Sequence, residues 1–521
     1  MPFSFPSLAL RRHVPSLATA VIGVAVYLAW RPPSTDLANQ MFRAELFRRA
    51  PFAPWNNLWF AGHHTPADYL LAPPLGSVIG AVAVGVVAVL FAALIGSMLI
   101  HRLVETEPGL RRPQFAAVLF TIGSLASLYG GRTAFVLGSA LGAAALLCAA
   151  NGRWWLCGLL GALCAFGSPV AALFLSLIGC GILCARALPS RTSLALIVAP
   201  VLAVGVLILL FPEGGDFPFP TAGAVNTLAV SVVVIGLGWR YVSLRWVGAG
   251  YIALCLLCLI LVTPVGGNAA RFAALLAPVV AVLVATFRVE VVAALLVPLA
   301  VLQWAPMSEA VSPDGPQTEI DFYRPLLEVL ATRPLPLRIE VVPVATHSEA
   351  DVVGRVVPLA RGWSRQLDRK YDSLFYQDRL DAGTYLAWLE ELGVSVVAIA
   401  ETKLDVGGRR EEELLASPPS YLHEIHRDSV WRVFEVVPQP SLVDGAATMT
   451  DMDVDSFTID ASAAGPVIVK VRFSPWFRVV AGAGCVRETS DGWTAIDASA
   501  GTLRVEAQLS FDAVFDRDGD C

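Results

Sequence analysis

The chain has 521 residues, 56% of them hydrophobic and only 15% charged, with a formal net charge of −6 and a mean hydropathy of +0.64. Such a composition excludes an ordinary soluble globular protein and marks a membrane protein. The net charge averages two regions: most arginines up to Arg288 fall in short loops between apolar runs, while acids concentrate after Met307, so it gives no support to a nucleic-acid partner.

The first apolar run, near 14–30, ends in YLAWRPP with no small-residue cleavage site, so it reads as a retained helix rather than a signal peptide. The loop that follows, 31–75, is polar and large. Within its DLANQMFRAELFRR stretch, Leu37, Met41 and Leu46 fall on one side of a helix with Arg43, Arg48 and Arg49 largely elsewhere, which predicts a helix lying flat in the membrane interface. Trp55 and Trp59 suit the headgroup level, where an indole keeps its ring in lipid and its N–H in water. His63 and His64 can shape the loop or bind substrate or metal, and Asp68 and Tyr69 join them as candidate substrate-binding residues.

Ten further apolar runs follow, near 76–100, 114–129, 132–150, 154–167, 169–185, 193–212, 224–239, 246–264, 270–287 and 290–306. Eleven spans across a ~30 Å hydrocarbon core are thereby expected. Gly138 and Gly142 offer a small face for close helix contact. The fifth and sixth runs are short and meet at FGSPV, where Gly167, Ser168 and Pro169 break the helix; broken backbone at depth is tolerated only when buried in protein or lining a watery cavity.

If the N-terminus is cytoplasmic and the spans alternate, Arg11, Arg12, Arg102, Arg111, Arg112, Arg153, Arg186, Arg191, Arg240, Arg245 and Arg288 all lie on one side. The first loop, the Gly130–Thr133 turn, EGGDFPFP, VGGNAAR and everything after Met307 then lie outside, in a multi-pass plasma-membrane protein. After the last run the pattern becomes charged. DFYRPLLEVLATRP and TYLAWLEELG read as helices, LRIEVVPV and VSVVAIAE as strands, so an α/β domain is expected over 307–438. Beyond it, DSFTIDAS, PVIVKVRFS, FRVVAGAG and GTLRVEAQLSF alternate with period two between Gly, Ser and Asp clusters, which predicts a small β-sandwich over 439–521. Seven cysteines sit in apolar runs as small hydrophobes; Cys485 and Cys521 stand apart and can pair if that region is extracytoplasmic.

No phosphate-binding loop, dinucleotide fingerprint, HEXXH zinc motif or GXSXG elbow occurs. What remains is the polar outer side of the apolar bundle. Asp36 has two readings: with Ser34 or Thr35 it can cap the helix that follows, or it can act as a general base taking a proton from a sugar hydroxyl while a lipid phosphate departs. Arg271, after VGGNAA at the start of a span, combines a guanidinium fork with a helix N-terminus, and both favour an anion; Arg132, after YGG, is placed similarly. The alternative for each is a snorkelling anchor.

TDLANQMFRAELF and PWNNLWFAGHHTPADYLLAPPLG resemble the first outer loop of membrane glycosyltransferases of the GT-C superfamily, especially YfhO-like and actinobacterial relatives. RTAFVLGSALGAAALL, FGSPVAALF, RGWSRQLDRKYDSLFY, LEELGVSVVAIAE, DSVWRVFEV and FSPWFRVVAG look like further stations of the same pattern. The resemblance implies a polytopic helical bundle with extracytoplasmic C-terminal domains, which moves sugar from a polyprenyl-phosphate donor to a cell-envelope glycan, lipid or protein acceptor, usually with inversion. Asp36 is the position that matches the family's first-loop base. No paired acid accompanies it, so a divalent metal has no clear motif and cofactors stay open. A secondary transporter built around the discontinuous spans, or a non-catalytic lipid-binding envelope scaffold, would account for some of the same features. Against a transporter, the halves show no evident inverted symmetry and the spans carry almost no ionisable residue at mid-depth.

Overall fold

The computed structural model describes residues 11–66, 70–287, 297–301, 303–304, 316–510 and 512–515. The chain divides into two compact units. The first comprises Met1–Gln40, Asp68–Leu209 and Asp216–Ser312; the second comprises Met41–Ala67, Leu210–Gly215 and Pro313–Cys521.

The first unit is helical. Its elements are α1 (Val14–Trp30), the start of α2 (Leu37–Arg49), α3 (Ala72–Ile79), α4 (Ala81–Thr106), α5 (Pro113–Tyr129), α6 (Thr133–Ala150), α7 (Trp154–Gly167), α8 (Pro169–Ala185), α9 (Ser190–Leu210), α10 (Thr221–Leu237), α11 (Val242–Ile260) and α12 (Ala270–Val284). Among the described residues five helical stretches are long and apolar enough to cross a membrane: α4, α6, α9, α11 and Gly266–Val284, where a 3-10 turn leads into α12. Five apolar helices are shorter: α1, α5, α7, α8 and α10. The eleventh expected span, near 290–306, falls largely outside the described residues.

Packing explains the interruption at FGSPV. Ser168 leaves the helical conformation and accepts a hydrogen bond from the Ala171 amide at 3.4 Å, while Pro169 opens α8 at a position that needs no donor. The Phe166 carbonyl accepts from the amides of Leu70 and Leu71 at 2.8 and 3.1 Å. A Cβ on Gly138 would lie 2.8 Å from Ser168 Cβ, and one on Gly167 would lie 3.1 Å from Gly138 Cα. The broken turn is thus pressed against the backbone of α6, which only glycine permits at this separation.

The second unit carries an α/β layer. Strands β3 (Arg338–Val341), β4 (Val394–Ala400), β5 (Leu422–Arg427) and β6 (Trp431–Val436) form a sheet of order β3-β4-β6-β5, in which only β3 and β4 are parallel. Every residue of β4 is buried, as a run that is apolar except for Ser395 requires. Helix α13 (Ile320–Ala331) contributes Tyr323 and Leu326 to the core. Helix α16 (Ala382–Leu392) contributes Tyr385 and Leu389; it is opened by a capping box between Asp381 and Thr384 and closed by Gly393 at φ +67. The short helices α14 (Ser348–Val352), α15 (Arg365–Tyr371) and α17 (Arg409–Leu415) complete this layer. Two four-stranded antiparallel sheets follow, built from β7 (Val443–Asp444), β8 (Ala447–Met452), β9 (Ser456–Ala461), β10 (Gly465–Arg472), β11 (Phe477–Ala481), β12 (Gly484–Glu488), β13 (Trp493–Ala498) and β14 (Gly501–Ala507), of order β12-β13-β10-β7 and β11-β14-β9-β8. Cys485, in one of them, is disulfide-bonded; Cys521 lies outside the described residues. The seven cysteines of the apolar runs are free.

The first loop departs from expectation. Helix α2 buries Ala38, Asn39, Gln40, Phe42, Arg43, Ala44 and Leu46, most of its circumference, whereas Met41 is exposed. Phe42 stacks on Trp59 with ring centroids 3.9 Å apart, and Arg43 donates to the Thr65 carbonyl at 2.7 Å. Trp59 is fully buried and its indole N–H donates to the Ala350 carbonyl at 3.1 Å; Trp55, also buried, lies edge-on to His64 and Phe477. These indoles are therefore core residues of the second unit rather than headgroup anchors. Trp59 gains by burial because its N–H is satisfied by a carbonyl 291 residues along the chain; Trp55 packs on Phe477 and the nearby His64, and its own Nε1 has no hydrogen-bond partner among the described residues.

Candidate functional site

Three helix beginnings meet in the first unit. Asp36 immediately precedes α2, Arg132 immediately precedes α6, and Arg271 is the second residue of α12. The starts of α2 and α6 bring the partial positive charge of a helix N-terminus to this place; at α12, which continues the 3-10 turn Gly266–Ala269, the Ala270 and Ala273 amides already have acceptors, and Arg271 itself supplies the charge.

The turn at Gly130–Gly131 sets Arg132. Helix α5 ends at Tyr129, and Gly131 adopts φ +75, a conformation that costs little only for glycine. The turn also lies against the start of α2: a Cβ on Gly131 would collide with the Leu37 amide nitrogen and come within 2.7 Å of Ser34 Oγ. From this turn Arg132 Nε donates to Asp36 Oδ2 at 3.0 Å. Next to it, Thr133 Oγ1 donates to Gln40 Oε1 at 3.2 Å, tying α6 to α2 a second time.

Arg271 is set by the VGGNAAR segment. Gly266, at φ +36, lies against the Phe217 carbonyl, and the Tyr251 hydroxyl, donating to the Ala269 carbonyl at 2.8 Å and accepting from the Ala273 amide at 3.3 Å, fixes the first turn of α12. Arg271 lies over the Phe135 ring at 5.4 Å, and its Nη2 approaches Asp36 Oδ2 at 3.8 Å. Both guanidiniums thus address the same carboxylate oxygen. The three side chains retain 28% (Asp36) and 23% (each arginine) of their surface, so solvent or ligand can reach them.

Of the other candidates, His63 and His64 belong to the second unit. They form β2 (His63–His64), paired antiparallel with β1 (Trp55–Asn56). His63 is fully buried, and burial, helped by the Arg43 charge, lowers its pKa to about 3, so the ring is neutral. His64 donates its backbone N–H to Glu213 Oε2 at 2.6 Å and brings Nδ1 within 3.2 Å of the same oxygen. The Tyr371 hydroxyl donates to Glu213 Oε1 at 2.6 Å, and Lys370 Nζ donates to the Glu213 carbonyl at 2.7 Å. Burial alone would raise the Glu213 pKa; the hydrogen bonds from His64 and Tyr371 and the imidazole charges outweigh it and hold it at about 2. Both carboxylate oxygens of Glu213 are thus engaged within the second unit. Asp68 and Tyr69 lie outside the described residues.

Sequence reasoning singled out Asp36, Arg132 and Arg271 separately, and the fold joins them. Glu213, Tyr371, Gln40 and Thr133 were not singled out. Glu213 carried a signal, an acid beside two glycines at the end of an apolar run, whereas Tyr371 and Gln40 carried none.

Among the described residues no group of three or more His, Cys, Asp or Glu side chains is arranged to hold a metal ion. No protein-family model matches the sequence, and no curated protein matches it either. Among solved structures, the chain is similar to the crystal structure of the Archaeoglobus fulgidus oligosaccharyltransferase tethered with an acceptor peptide through a disulfide bond. The identity is 11% and the TM-score 0.43, over 74% of this chain and 68% of that one.

Proposed function

We propose that this protein is a membrane glycosyltransferase that moves a sugar from a polyprenyl-phosphate donor to a cell-envelope acceptor, with Asp36 as the general base. The observation that carries the reading is the Asp36 carboxylate, partly exposed and bracketed through Oδ2 by Arg132 at 3.0 Å and Arg271 at 3.8 Å, at three helix N-termini. The resemblance of the first loop to GT-C enzymes supports the same residue. The bundle lies in the plasma membrane with its N-terminus cytoplasmic, and the α/β domain and the β-sandwich formed by the two antiparallel sheets face outward.

In the reaction the acceptor hydroxyl gives its proton to Asp36, whose Oδ1 takes that role because Oδ2 faces the guanidiniums. The acceptor oxygen bonds to the sugar's anomeric carbon as the bond from that carbon to the phosphate oxygen breaks, inverting the centre. The leaving lipid phosphate keeps the bonding pair, and Arg132 and Arg271 offset its developing charge. Asp36 thus also serves to hold the two arginines in place before the donor arrives.

Asp36→Asn preserves shape and removes the proton acceptor. Transfer by the purified variant should fall by about 10²- to 10⁴-fold, the usual contribution of a general base, while membrane insertion and folding persist. Full activity in that variant would remove Asp36 from the chemistry.

A further inference from the structure

Ser34 lies two residues before Asp36 and is buried, with 4% of its surface exposed. Its Oγ has no hydrogen-bond partner among the described residues. Pro32 and Pro33 precede it, and their rings fix φ and supply no amide donors, so the segment holds its course into α2. The hydroxyl faces Gly131, the residue before Arg132, within 2.7 Å of where a Cβ on that glycine would stand. A buried hydroxyl without a partner is costly, and folded proteins satisfy nearly all such groups. This one lies against the glycine turn that carries Arg132, two residues before the carboxylate that Arg132 and Arg271 address.

We infer that Ser34 is a substrate-positioning residue whose hydroxyl donates a hydrogen bond to an oxygen of the bound phosphate. The inference rests on the reading of the Asp36 site as the place where a lipid phosphate binds. It assigns the orphan hydroxyl the partner that the donor supplies. Arg132 attracts the phosphate by charge, and Ser34, held on a rigid Pro-Pro segment, fixes which oxygen faces it. A hydroxyl is small and directional where a guanidinium is broad, so the two divide attraction and orientation between them.

The test uses the purified full-length protein with farnesyl phosphate as probe and farnesol as its uncharged counterpart. Ser34→Ala should weaken farnesyl phosphate binding by about ten- to hundredfold, the range for a hydrogen bond to a charged group, and leave farnesol binding unchanged. Its thermal stability in the absence of probe should equal or exceed that of the unaltered protein, because an unsatisfied buried group has been removed. Equal affinity in the two proteins would overturn the inference, since a hydroxyl satisfied by water has no part in binding. A lower melting temperature in Ser34→Ala would also overturn it, because the hydroxyl would then serve the fold. Failure of the unaltered protein to bind farnesyl phosphate would instead overturn the lipid-phosphate reading, and the Ser34 assignment with it.

Discussion

Gly131→Ala probes how the fold delivers Arg132 to Asp36. At φ +75 an alanine is strained by roughly 1–2 kcal/mol. Its Cβ would also overlap the Leu37 amide nitrogen, a backbone atom that cannot move aside without shifting the start of α2. Asp36 is the residue before Leu37 and Arg132 the residue after Gly131, so the displacement falls on both members of the 3.0 Å ion pair. A shift of about 1 Å in a catalytic group costs on the order of 10²-fold in rate, and that is the loss expected in a transfer assay with a polyprenyl-phosphate sugar donor. Gly130→Ala is the control one residue away. Gly130 is buried but has φ −78, and its Cβ would make only ordinary contacts, at 3.6 Å to the Ala126 carbonyl and 3.7 Å to Arg132 Nε, so activity should remain within about twofold of the unaltered protein's. Equal activity of the two variants would refute the claim that the left-handed turn positions the site.

Two further predictions concern the second unit. Glu213→Gln removes a carboxylate whose pKa falls from about 4.5 to about 2 on folding, so the unaltered protein should hold a stability advantage above pH 4.5 and lose it progressively as pH falls toward 2. Unfolding of the full-length pair in detergent across that window measures the difference, and a pH-independent gap would show that the ionised form contributes nothing. Trp59→Ala empties a fully buried site stacked on Phe42 and should destabilise the second unit by about 3–5 kcal/mol, seen as faster proteolysis of the C-terminal region. An unaltered proteolysis rate would return Trp59 to the membrane interface.

Much of the fold was legible along the chain because it is written locally. The break at Gly167–Ser168–Pro169 is a local event, since proline and a serine cap act within a few residues. The glycine face of α6 was visible for the same reason, although its partner, the broken turn itself, was not. The strand β4 announced itself as a buried strand by a run of small and branched apolar residues interrupted only by Ser395. The first loop was misread where local pattern and tertiary partner disagree: the spacing of Leu37, Met41 and Leu46 offered one apolar face, but Trp59 supplied a ring for Phe42, and the face that found a partner was the one buried. Arg43 followed it inward because the Thr65 carbonyl satisfies part of its guanidinium.

Composition and periodicity by themselves determined that this is a membrane protein with a helical part followed by an α/β part and a run of strands, because lipid solubility and backbone hydrogen bonding constrain every residue of a span at once. The individual importance of Asp36, Arg132 and Arg271 could also be suspected there, from charge at the edge of apolar runs. Only the tertiary structure decided that they meet. Residues 36, 132 and 271 are brought together by a left-handed glycine turn and by the packing of three helix beginnings, and no local pattern encodes a distance between segments more than 90 residues apart. The orphan hydroxyl of Ser34 is visible only in that context, since a serine is unsatisfied only once its surroundings are known.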